Sequence, residues 1–284
     1  MAEKCAQFVE VSCPLCQSDD WDLYVWAPSH YGKEKLRVVR CRKCRMIYTS
    51  PRVADVEETI ESRGVLDRHF LPDVLRRKRM TANLQLGMLA KIAPGRRLFD
   101  FGAGEGVLVA EAIRLGWEAV GHDLNRGLVA AANRRWDFNA LHSGSLDDFA
   151  LAKEGSFDAV VSNQVFEHLC RPVETGRKLV SMLRPGGVLY LDVPNVGQFR
   201  ERWKRGDTLD PTAHVNHFTP ATLMKLMNLL ACRVIYCSAA PSLVQFYSRL
   251  GLKKACYALG RLTKRLLPPI GTGVCVMGEK RRLP

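Results

Sequence analysis

Leu98-Phe99-Asp100-Phe101-Gly102-Ala103-Gly104-Glu105-Gly106-Val107 is an apolar run that breaks into three alternate glycines and resumes as a helical pattern. A buried parallel strand that turns sharply into a helix needs glycine, because a side chain there would clash and hold the backbone away from a ligand. The next helix then offers free amides and the positive end of its dipole, which favour a carboxylate or phosphate. A dinucleotide fingerprint requires a third glycine three residues after the second, and that position is Val107. The spacing argues against NAD. Further on, Glu118-Ala119-Val120-Gly121-His122-Asp123 reads as a second strand ending in a carboxylate, which can accept from both hydroxyls of a ribose.

From Arg97 onward, strand and helix patterns alternate, which predicts βαβ units and a parallel sheet. Residues 126–136 read as a helix, 139–143 as a third strand and 157–163 as a buried fourth. A helix over 171–183 precedes a strand over 188–193. Residues 220–231 read as a helix, with strands over 234–239 and 273–279. Ahead of the glycine turn, Val74, Leu75, Met80, Leu84, Leu86, Met88, Leu89 and Ile92 predict one or two helices, on which Arg76 to Arg79 form a basic cluster with a solvated face.

Near the N-terminus, Cys13-Pro14-Leu15-Cys16 and Cys41-Arg42-Lys43-Cys44 are two C-x-x-C pairs separated by twenty-four residues. Each pair presents two thiolates from a tight turn, and Cys13, Cys16, Cys41 and Cys44 together complete a closed tetrahedral zinc site. Residues 21–26 and 36–40 read as strands of a small zinc ribbon that ends at Tyr48-Thr49-Ser50-Pro51-Arg52. A closed site leaves the metal no open position, so its expected role is structural. Two redox dithiols are the competing reading.

With Asp100 two residues before Gly102, the glycine run resembles motif I of the class I S-adenosylmethionine-dependent methyltransferases. Phe166-Glu167-His168-Leu169, Leu183-Arg184-Pro185-Gly186-Gly187, Val193-Pro194-Asn195 and His214-Val215-Asn216-His217-Phe218-Thr219 are similar to the small-molecule branch that includes ubiquinone-biosynthesis O-methyltransferases. The resemblance covers residues 97 to about 240. It implies an α/β fold with a doubly wound, mostly parallel, seven-stranded Rossmann-like sheet, and S-adenosyl-L-methionine as cofactor. By the same resemblance Asp100, Gly102 and Gly104 hold the amino-acid end of the cofactor and Asp123 its ribose. Ser145 and Leu146 lie against the adenine, and Asn163 and Gln164 line the methyl. Enzymes that methylate exocyclic base nitrogens carry an acidic or amide residue, two prolines and an aromatic at this point; the present chain does not. Some ubiquinone-type enzymes bind a divalent metal through Glu-x-x-Glu-His. Here the first position is Gln164, which leaves Glu167 and His168 as two ligands of the three and argues against metal dependence.

Residues 195–219 are an insertion too long for a simple turn, as expected of a lid, and bring Arg200, Arg202, Trp203, Lys204, Arg205, His214 and His217 towards the substrate side. His168, His214 and His217 are the candidates for a base that takes a proton from an attacking hydroxyl. A second insertion, 240–271, places Leu250, Leu252, Cys256, Leu259, Leu262 and Leu266 at helical spacing among basic residues. Such a stretch packs on its own domain, meets an anionic membrane surface, or grips a phosphorylated substrate.

The 284 residues suffice for one α/β domain with a small appendage, divided as a ribbon over 1–60 and a methyltransferase domain over 61–284. The net charge of +13 is uneven: residues 99–196 carry 9 basic against 13 acidic side chains, and 197–284 carry 15 against 4. The expected cofactor core is acidic and its flanks are basic, which suits an anionic partner. No apolar run is long enough to cross a bilayer, and the N-terminus lacks a basic start and apolar signal region, so a cytoplasmic location is expected. Ten cysteines then read as thiols or metal ligands. The leading expectation is methyl transfer to a hydroxyl of a small molecule. Its alternatives are C-methylation of a nucleotide sugar, RNA methylation, with nucleic acid the less favoured partner, and a non-catalytic binding module with a degenerate cofactor pocket.

Overall fold

The computed structural model describes residues 8–28, 35–54, 70–197, 209, 211–238 and 273–281. Two short strands, β1 (Phe8–Val9) and β5 (Arg52–Val53), pair with each other. Between them run β2 (Trp21–Pro28), β3 (Lys35–Cys41) and β4 (Ile47–Thr49). There follow α1 (Pro72–Ile92), β6 (Arg97–Phe101), α2 (Val107–Arg114), β7 (Glu118–His122), α3 (Arg126–Trp136), β8 (Leu141–His142) and α4 (Leu146–Ala152). The chain continues through β9 (Phe157–Asn163), α5 (Pro172–Met182), β10 (Leu183–Pro194), β11 (Asn216–His217), α6 (Pro220–Leu229), β12 (Cys232–Ser238) and β13 (Gly273–Lys280).

The seven-stranded sheet runs β12-β13-β10-β9-β6-β7-β8. Strands β6 to β10 pair in parallel, and β13 lies antiparallel between β10 and β12. Because β6 and β9 are neighbours while the chain leaves β6 in the other direction towards β7, the strand order reverses between them. A crevice opens at such a switch point, outside the carboxyl ends of the strands. The glycine run leaves β6 there. Alternation along each strand feeds two cores, as the period of two demands. Phe99, Phe101, Val160, Leu189 and Leu191 pack with α5 and α6 on one face, and Leu98, Ala159, Val161 and Val188 pack with α1 and α2 on the other.

The helical stretch before β6 is a single helix, and its buried face differs from the expected one. Leu75, Ala82, Gln85, Leu86 and Leu89 turn inward, whereas Leu84 and Ile92 are exposed. Leu84 lies on the opposite side of the helix from those inward residues, and Ile92, though i+3 from Leu89, is the last residue of α1 and sits at the edge of the buried face. The basic cluster on α1 is not merely solvated: Lys78 pairs with Glu105 and Arg79 with Glu111, clamping α1 across the glycine turn and α2. The third strand of the parallel series is shorter than expected, covering Leu141–His142.

The ribbon sheet is not confined to the first 60 residues. Its order is β11-β4-β3-β2, so two residues of the long insertion form its outer strand. Asn216 pairs with Tyr48 and His217 with Ile47, and Thr49 N–H donates to the Val215 carbonyl at 3.0 Å. What read as the ribbon's end is therefore its seam with the larger domain. Arg200, Arg202, Trp203, Lys204, Arg205 and the basic stretch over 240–271 lie outside the described residues. No helix among the described residues is long and apolar enough to cross a membrane.

Candidate active site and cysteine cluster

The glycine turn is built for close approach. Gly102 has φ +76°, and a Cβ there would lie 2.2 Å from Val165 Cγ2, so the loop after β9 closes directly onto the turn. Gly102 and Ala103 N–H both donate to the His122 carbonyl, tying the turn to the end of β7. Gly106, also left-handed at φ +69°, starts α2. Asp123 follows β7, with Oδ2 accepting from Gly104 N–H at 2.8 Å and Oδ1 from Asn125 N–H at 2.9 Å. Each carboxylate oxygen has a second lone pair with which to meet a hydroxyl. The cap of α3 is Asn125, whose side chain accepts from Leu128 N–H.

Asp100 is buried beneath the turn, and burial, reinforced by the charges of Asp123 and Glu105, pushes its carboxyl up to about 7. Lys78 opposes that shift. Three carboxylates thus gather around the crevice, a setting that favours a cationic ligand. Ser145 caps α4, its hydroxyl accepting from Asp147 N–H at 3.1 Å, and Leu146 packs partly into the core beside it.

Asn163 ends β9, and its side-chain amide is held by Gln85 of α1: Gln85 Nε2 donates to Asn163 Oδ1 at 2.6 Å. Sequence reasoning passed over Gln85. The available signal was one polar residue on the face formed by Ala82, Leu86 and Leu89. Gln164 adopts φ +57°, a backbone state uncommon outside glycine, and its N–H donates to the Asp192 carbonyl at 2.8 Å. Its side chain hydrogen-bonds the Asp192 carboxyl, which burial raises to about 7.

Immediately after this strained residue, Glu167, His168 and His214 come together, with one ligand atom from each all within 4.8 Å of one another. His168 Nδ1 lies 2.7 Å from the Ala213 carbonyl, to which it donates, so Nε2 turns towards Glu167 Oε1 at 3.9 Å. The two imidazoles meet edge to face at 4.8 Å. Glu167 is only 2% exposed, and burial pushes its carboxyl up to about 8. His217 is placed elsewhere: buried in β11, its Nε2 is 3.2 Å from Thr49 Oγ1 in the ribbon seam.

In the ribbon, Cys13, Cys16, Cys41 and Cys44 converge with all four sulfurs within 4.8 Å of one another. Cys13 Sγ lies 3.4 Å from Cys44 and Cys16 Sγ 3.5 Å from Cys41. Four sulfurs at about 2.3 Å from one zinc ion would be about 3.8 Å apart, so the donor set and spacing fit that metal. The two C-x-x-C turns match each other. Gln17 N–H donates to Cys13 O and Arg45 N–H to Cys41 O, both at 2.9 Å, and Gln17 and Arg45 are both left-handed.

The sheet order, the glycine turn at the switch point and the acidic crevice beside it define a class I S-adenosylmethionine-dependent methyltransferase. Residues 69–235 match the family model described as a methyltransferase domain, and the chain belongs to that family. It is 36% identical over 115 residues to a ubiquinone biosynthesis O-methyltransferase of Xanthomonas campestris, a match covering 37% of this chain and 46% of the relative. A relative of the same name from Nitrosococcus oceani is 30% identical over 109 residues, 36% of this chain and 44% of that one. The chain thus spans about half the length of the curated relatives it matches. Among solved structures, a SAM-dependent methyltransferase from Archaeoglobus fulgidus superposes with a TM-score of 0.52 at 17% identity, covering 72% of this chain and 94% of that one. Another from Thermotoga maritima gives 0.50 at 19% identity, covering 76% and 94%. At such identities the structural likeness concerns the fold.

Proposed function

We propose that this protein transfers the methyl group of S-adenosylmethionine to a hydroxyl of a small molecule. The observation that carries the reading is the cluster of Glu167, His168 and His214, the first two of which sit on the loop after β9 whose Val165 closes onto Gly102. Transfer from a sulfonium requires the acceptor oxygen in line with the methyl–sulfur bond and water kept out. Asp100, Gly102 and Gly104 hold the amino-acid end of the cofactor, Asp123 the ribose, Leu146 and Ser145 the adenine edge, and Asn163 with Gln164 the methyl. Removing the hydroxyl proton falls to the histidine cluster, in which the Ala213 carbonyl fixes the orientation of His168. The similarity to ubiquinone biosynthesis O-methyltransferases supports an oxygen acceptor.

Cys13, Cys16, Cys41 and Cys44 hold a structural zinc ion in this reading. The ion would fix the ribbon that β11 joins to the loop after β9. With the cofactor labelled in its methyl group, incubation with fractionated cell extract is expected to put label into a small metabolite, in a base-stable ether. Label recovered in RNA, or attached to carbon, overturns the assignment of the acceptor. No calorimetric heat with the unlabelled cofactor overturns the enzyme reading itself.

A further inference from the structure

The proposed cofactor contacts end at Asn163 and Gln164, and the next strand of the sheet carries a carboxyl that they leave unused. Asp192 lies beside Asn163 in the parallel register of β9 and β10, one strand further from the glycine turn. Strand alternation puts Asp100, Asn163 and Asp192 on one face of the sheet, the face on which α1 packs. A methyl group at Asn163 then has the glycine turn on one side and Asp192 on the other, where an acceptor enters. We propose that Asp192 binds a protonated amine of the methyl acceptor, which makes that acceptor an amino alcohol; the inference rests on the proposed O-methyl transfer.

Three observations support the site. Asp192 Oδ1 is buried with no hydrogen-bond partner, although the residue as a whole is only half-buried. A buried carboxyl oxygen calls for a donor, and an ionised one for a cation. Position 273, at the start of β13, is glycine: a Cβ there would lie 3.2 Å from Asp192 Oδ1, so the missing side chain leaves room beside that oxygen. Gln164 fixes the residue from the neighbouring loop, its side chain bonded to the carboxyl and its N–H donating to the Asp192 carbonyl at 2.8 Å.

Charge selects the amine. Among the described residues no lysine or arginine pairs with Asp192. Glu167 is close enough for the charge of Asp192 to add to the effect of its own burial. Asp100, Glu167 and Asp192 thus bring three carboxyls to this end of the sheet, whereas S-adenosylmethionine, with an ammonium, a sulfonium and a carboxylate, brings one net positive charge. An ammonium on the acceptor offsets the surplus, which a neutral hydroxyl does not. The histidines keep the reacting hydroxyl and Asp192 takes the amine, so the two groups of the acceptor have separate partners.

The test gives the full-length protein methyl-labelled S-adenosylmethionine and a protein-free small-molecule fraction of cell extract, half of it first treated with acetic anhydride to acetylate its amines. Labelling is expected to fall about tenfold or more in the acetylated half, and the labelled ether from the untreated half should be retained by a cation exchanger in acid. Asp192→Asn, which keeps an oxygen for Gln164, should raise the KM for the untreated fraction about thirtyfold or more, while kcat and the calorimetric Kd of S-adenosylmethionine change less than about threefold. Gly273→Ala should raise the same KM by filling the space beside Oδ1. Labelling that survives acetylation, or a KM unchanged in either variant, overturns the amine site. Ether label in a product without an amine sinks this assignment alone, and label on nitrogen, on carbon or in RNA sinks the acceptor reading with it.

Discussion

Asn216 donates its side-chain amide to the Leu169 carbonyl at 2.7 Å, and the same Nδ2 reaches the Phe166 carbonyl at 3.0 Å. Its backbone N–H donates to Glu167 O at 3.0 Å. One residue of the ribbon's outer strand thus satisfies three carbonyls of the loop that carries Glu167 and His168. The ribbon and the candidate active site share a single hydrogen-bonded seam.

Asn216 is 1% exposed, so its replacement leaves carbonyls buried without donors. Asn216→Ala is expected to cost about 2 to 4 kcal/mol of stability. The corresponding fall in melting temperature is roughly 5 to 10 °C, measurable by scanning calorimetry. A shift within error would show that the seam is dispensable.

With Asp100 at the amino-acid end of the cofactor, as proposed, cofactor affinity is expected to depend on pH. Burial favours its neutral form in the free protein, and the amino group of S-adenosylmethionine favours the ionised form. Affinity measured by calorimetry should strengthen from pH 6 to pH 8, and Asp100→Asn should flatten that dependence. Stability of the free protein moves the other way. A carboxyl raised from its ordinary value near 3.8 to about 7 contributes stability fully present at low pH and lost as pH rises through 7.

Gln85 is expected to act through Asn163. Gln85→Leu keeps the size of the side chain but removes the donor to Asn163 Oδ1, a loss worth about 1 kcal/mol or about fivefold in affinity. The measurement is the Kd for S-adenosylmethionine alongside the melting temperature. An unchanged Kd in a folded variant would remove Asn163 orientation from the account.

Purified protein should contain one zinc ion per chain by elemental analysis. Cys41→Ser should lose that ion and lower the melting temperature, because a closed four-thiolate site contributes directly to the stability of a small domain. If the proposed seam transmits ribbon order, activity falls with it. Full zinc content in the serine variant would refute the ligand assignment.

The class of fold was legible in the chain because its signals are local. Alternate glycines after an apolar strand, a carboxylate ending the next strand and paired C-x-x-C turns are spacings that backbone geometry requires within a few residues. Periodicity placed most of the strands and helices for the same reason. On α1 it misled, since apolar residues at 84 and 92 looked inward while Gln85 is the one that is buried. Packing alone decided that His214 stands beside His168, that Gln85 reaches Asn163 from 78 residues away, and that Asn216 and His217 complete a sheet begun near the N-terminus. Those meetings depend on how separately formed elements bury one another's faces, and a sequence pattern records which face is buried but not what lies against it.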